Sequence, residues 1–140
     1  MRSISRGGLA LLVAATLGLA ACDNTVNDSL QPPTTPTQTV TEVFSGTINV
    51  NGAATYPFIV GSGGTVTVTL TTVAPEDASA GLSLGTWNGV TCQIVLANDN
   101  ALVGNTITGT VSSVGTLCAR IYDTGKLIGS TDYTLTVVHP

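Results

Sequence analysis

The stretch Thr65-Val66-Thr67-Val68-Thr69-Leu70 alternates without a break. Val66, Val68 and Leu70 fall on one face of an extended chain and the three threonines on the other. A period of two cannot form the apolar stripe of a helix, so the stretch predicts a β-strand with one dry face and one wet face. From Glu42 onward no window carries a helical stripe. Further strands are predicted at Val43 to Asn51, Ala54 to Val60, Gly81 to Trp87, Thr91 to Asn98, Thr106 to Ser112, Thr116 to Tyr122 and Asp132 to Val138, separated by turn-forming Gly, Asn, Asp and Pro. Eight short strands at regular spacing predict an all-β fold, an antiparallel β-sandwich of jelly-roll type in which two sheets cover each other's apolar faces. Threonine, 23 of the 119 residues from Cys22 onward, suits the wet faces because it is both β-branched and polar. Asn88-Gly89, directly after Trp87, predicts a two-residue type I′ hairpin turn flanked by Trp87 and Thr91.

Upstream of the alternation the chain changes character. Arg2 and Arg6 precede an uncharged apolar run from Gly8 to Ala21, 14 residues long. A helix needs about 20 residues to cross a hydrocarbon core of about 30 Å, so this run fits the middle of a secretory signal peptide instead. Leu19-Ala20-Ala21-Cys22, at its end, resembles the lipobox of bacterial lipoproteins. That resemblance implies a diacylglycerol-modified thiol on Cys22, cleavage just before it, and a membrane anchor holding at least two acyl chains, which is enough for stable attachment. Residues 1–21 are then the signal peptide. Residues 22–41, rich in Thr, Pro, Asn and Gln and without hydrophobic periodicity, are a tether of extended polyproline-like character, and residues 42–140 are the sandwich. The expected location is the bacterial cell envelope, on a membrane surface facing the periplasm or the cell exterior.

Cysteine parity agrees with this reading. Lipidation of Cys22 leaves Cys92 and Cys118 as an even pair, and outside the cytoplasm such a pair oxidises to a disulfide. Two cysteines and one histidine do not supply a zinc site, and no metal or cofactor is expected. Without residues 1–21 the chain keeps Arg120 and Lys126 against eight acids, a net charge of 2 − 8 = −6, which excludes the clustered cations that nucleic-acid binding requires.

Candidate catalytic residues are few. His139 is penultimate and reads as a solvated tail residue beyond the last strand, so no catalytic triad can be built around it. Glu76-Asp77 reads as a solvated loop pair, and Asn98-Asp99-Asn100 as turn chemistry, because the glycine and glutamate of a calcium loop do not follow it. Arg120 is expected to pair with an acid on a neighbouring strand. Trp87 and the tyrosines are the material for a binding face; Trp87 is expected to serve the core, with Trp87 and Tyr122 as candidate ligand contacts.

Three stretches, "GGTVTVTL" (Gly63 to Leu70), "GLSLGTWNGVTCQIVLANDN" (Gly81 to Asn100) and "VGTLCARIYDTGKLIGSTDYTLTV" (Val114 to Val137), resemble the bacterial pre-peptidase C-terminal (PPC) domain. The resemblance implies a β-sandwich and carries no catalytic residue. Where that family often has an Asp-rich segment, this chain reads Asp77-Ala78-Ser79-Ala80-Gly81, so no calcium site is carried over. The expected function is a non-catalytic, envelope-anchored structural or interaction module, adhesion-like, whose partner is an envelope glycan or protein. The alternative is a carbohydrate-binding module at the cell surface.

Overall fold

The computed structural model describes residues 38–140, so the expected signal peptide, Cys22 and most of the expected tether lie outside the described residues. Eight strands follow in order: β1 (Val40–Ile48), β2 (Ala53–Val60), β3 (Gly64–Ala74), β4 (Ala80–Trp87), β5 (Cys92–Ala101), β6 (Thr106–Val111), β7 (Gly115–Tyr122) and β8 (Thr131–His139). They form two four-stranded antiparallel sheets with orders β1-β8-β3-β6 and β2-β7-β4-β5. Consecutive strands alternate between sheets except β4 and β5, which pair as a hairpin within one sheet, and this is the connectivity of a jelly roll.

Period-two alternation produces the core. Val66, Val68 and Leu70 of β3, with Leu135 and Val137 beside them on β8, face Leu82 and Leu84 of β4 and Leu117, Ala119 and Ile121 of β7. Phe58 joins this core, and Phe44 stacks on Tyr56 with ring centroids 4.7 Å apart. Tyr56 and Tyr133 join the two sheets through hydroxyls 2.6 Å apart, and burial followed by that bond pushes the Tyr133 pKa up. Trp87 takes no part in the core. It shares the outward face of β4 with Gly81, Ser83 and Gly85, while Leu82 and Leu84 take the inward one, and it sits half-buried at the strand end.

Both ends of the sheet pairing extend further than sequence alone indicates. β1 begins at Val40 because β8 runs to His139 and pairs with it there. His139 is therefore a buried strand residue, 2% exposed, rather than a solvated tail. Its Nε2 donates to Glu42 Oε1 at 3.0 Å, its Nδ1 lies 3.1 Å from the Pro140 carbonyl oxygen, and its ring packs 5.2 Å from that of Phe58.

The Trp87 hairpin differs from a type I′ turn. Trp87 pairs with Cys92, leaving four residues in the loop, and only Gly89 has a positive φ. Asn88 holds the turn through its side chain: Oδ1 accepts from the Val90 and Thr91 amides at 2.9 and 2.7 Å. An Asx turn needs no left-handed backbone at asparagine, so the same dipeptide serves a different turn.

Cys92 and Cys118 form a disulfide that crosses β4 to tie β5 to β7, with Cα atoms 5.8 Å apart. Strands on either side of a third are about 9.6 Å apart in a regular sheet, so β5 must lean inward here. Two features permit it. A bulge gives β5 an extra residue, Val95, between its pairings with Leu84 and Gly85, and Gly85 has no side chain where the β5 backbone passes over it.

Candidate recognition site

The turns after β1, β3, β5 and β7 gather at one end of the sandwich. The β7–β8 segment, Asp123 to Ser130, is held there by its own first residue. Asp123 Oδ1 accepts from the amides of Gly125, Lys126 and Leu127 at 2.8, 2.9 and 3.1 Å, and Oδ2 accepts from Asn51 at 2.8 Å. Gly125 supplies the positive φ that lets the amides converge. Four donated bonds, the one from Asn51 foremost, hold the Asp123 carboxyl below the usual carboxylate range. Further along, Lys126 Nζ donates to Asn100 Oδ1 at 2.6 Å, Ser130 Oγ to Asn49 Oδ1 at 2.8 Å, and Leu127 is buried.

With its neighbours fixed on both sides, Ile128 projects from the segment 99% exposed. Beside it lies a cleft of about 580 Å³ between this segment and the β3–β4 loop, with Pro75, Asp77 and Ala78 on one wall, Leu127 and Ile128 on the other, and Thr131 among the polar lining. Asp77 and Lys126 are its ionisable lining residues. Lys126 Nζ and the Ser79 hydroxyl, also of the lining, share one acceptor, Asn100 Oδ1, at 2.6 and 2.9 Å. Among the described residues, no three His, Cys, Asp or Glu side chains come together as metal ligands.

Asn98-Asp99-Asn100 belongs to β5, and turn chemistry operates inside the strand: Asn98 Oδ1 accepts from the Asn100 amide at 3.0 Å, an Asx-type bond. The extra residue that β5 carries between its pairings with Ala80 and Leu82 falls there, and the three polar side chains serve the loop end. Asp99 accepts from the Tyr122 hydroxyl, Asn100 accepts from Ser79 Oγ and Lys126, and Asn98 reaches Asn105. Burial, then the bond to Asp99, pushes the Tyr122 pKa up to about 12, so this phenol stays protonated as a donor. Among the described residues Arg120 has no acid within ion-pair distance. Its register neighbours are Thr55 and Ser83, and Asp99 is already engaged, so its guanidinium lies 5.5 Å from the Tyr122 ring centre instead.

Trp87 and Tyr122 point to the same outer face but stand at opposite ends of β4, because Tyr122 pairs with Gly81. Six residues of strand rise separate them by about 20 Å, so they form no single platform. A second cavity of about 330 Å³ opens between β5 and β6, lined mainly by Leu84, Val95, Leu96, Val111 and Leu117, with Thr86 and Thr110 as its polar members. Strand periodicity does not mark Ile128, although Leu127-Ile128 inside an otherwise polar Asp-Thr-Gly-Lys…Gly-Ser loop is a visible departure from loop composition.

Fold and site together define an all-β jelly-roll domain with a pinned loop end. No family model matches the sequence and no curated protein matches it. Among solved structures the chain is similar to PliG of Aeromonas hydrophila, a periplasmic lysozyme inhibitor of g-type lysozyme. The TM-score is 0.51 at 14% identity, over 71% of this chain and 84% of that one, a likeness of fold.

Proposed function

We propose that this protein is a non-catalytic lipoprotein of the bacterial envelope, anchored through Cys22, whose sandwich binds another protein through its loop end. The observation that carries this reading is Ile128, a large aliphatic side chain held fully in solvent by a segment bonded down on both sides of it. Ordering a loop in advance lowers the entropy lost on association, and an exposed apolar anchor on such a loop is how interfaces concentrate their energy. The sandwich of the periplasmic inhibitor supports the reading as a scaffold that acts by binding, and it makes a g-type lysozyme one partner to assay. The PPC resemblance contributes a fold likeness. A glycan platform is less well supported, since Trp87 and Tyr122 are separated along β4.

Site-specific photo-cross-linking in cells tests the reading, with the cross-linker at Ile128 or at Ile59, which is 72% exposed on the outer face of β2. A discrete protein adduct is expected from position 128 alone. Equal adducts from both positions, or none from either, would overturn it.

A further inference from the structure

Resting on the protein-binding reading, we infer that the cleft between the 75–79 and 126–131 loops accepts a basic segment of the partner, with an aliphatic or aromatic side chain set against Ile128 and a cation against Asp77. The chemistry of the two walls is unequal. Ile128 and Leu127 with Pro75 and Ala78 offer hydrocarbon, while Asp77 and its exposed neighbour Glu76 offer negative charge. Neither acid has a cation within ion-pair distance among the described residues.

Of the two cations of this region, Lys126 lines the cleft with its ammonium held on Asn100 Oδ1, and Arg120 lies over Tyr122. Glu76, Asp77, Asp99 and Asp123 outnumber Lys126 and Arg120 at this end, so the local field favours a positive partner and opposes an acidic one. A volume of about 580 Å³ falls within the range of about 300–1,000 Å³ typical of ligand pockets, so a few side chains fit and a folded domain does not enter.

The test uses the full-length lipoprotein in detergent micelles and a random dodecapeptide phage library as the probe. Enriched peptides are expected to carry Lys or Arg beside an apolar residue and to lose affinity as salt rises. Ile128→Asp and Asp77→Lys should each weaken them by at least about tenfold, with Ile59→Asp unchanged. Both variants alter exposed loop residues, and unchanged thermal unfolding would show that the domain remains folded. Enrichment of peptides without basic residues, equal binding to Ile128→Asp and wild type, or no enrichment would each overturn the inference. An adduct from position 128 with a neutral or acidic partner would overturn it while leaving the protein-binding reading intact.

Discussion

Replacing Cys92 and Cys118 together by alanine is expected to cost about 3 kcal/mol of stability and to lower the melting temperature by roughly 15 °C. The bridge spans 26 residues and joins strands on opposite sides of β4, so its loss releases a long loop in the unfolded chain. A domain of this size buries a smaller fraction of its surface than a large one and depends more on such a link. Denaturant unfolding of wild type with and without reductant gives the comparison. Reduction should lower the wild type by about as much as the double substitution does and leave the substituted protein unchanged. A loss below about 1 kcal/mol would show that the pair does not stabilise the domain.

Gly85→Ala is expected to destabilise the domain by about 3 kcal/mol and to leave Cys92 and Cys118 partly unpaired. A methyl group there would sit 2.1 Å from the Gln93 carbonyl oxygen, 2.7 Å from its carbon and 3.0 Å from the Ile94 Cα. These are backbone atoms and cannot rotate away. Relief requires β5 to lift from β4, which moves Cys92 away from Cys118. The matched control is Gly115→Ala on β7, where the added methyl meets nothing within 4 Å; it should stay within about 0.5 kcal/mol of wild type. Thiol labelling before and after reduction reads the second effect. Full oxidation in Gly85→Ala with unchanged stability would contradict this account of how the bridge is accommodated.

All eight strands were legible because alternation is imposed on every residue of a half-buried strand, and Thr65 to Leu70 shows it without interruption. The disulfide was legible from parity once Cys22 is set aside. What escaped depends on partners distant in sequence. His139 is buried because Glu42, 97 residues away, and the start of β1 lie across from it. Arg120 has no acid beside it among the described residues because register places Thr55 and Ser83 there, and register is not written in either strand alone. Asn88-Gly89 gave the turn but not its type, since asparagine can satisfy a turn by side chain as well as by positive φ. The cleft escaped because four turns far apart along the chain build that end, and only there does Asp123 gather amides from two of them.

The proposed export to the envelope links the rest of the account: it accounts for an oxidised pair in a three-cysteine chain and a Pro- and Thr-rich lead into β1, and it sets the proposed partner outside the cytoplasm. The measurement that tests it most directly is mass spectrometry of the protein extracted from native membranes. The proposed anchor predicts a mature chain beginning at Cys22, carrying diacylglycerol on its thiol, with Cys92 and Cys118 oxidised. An unmodified Cys22, or an N-terminus elsewhere, would contradict it.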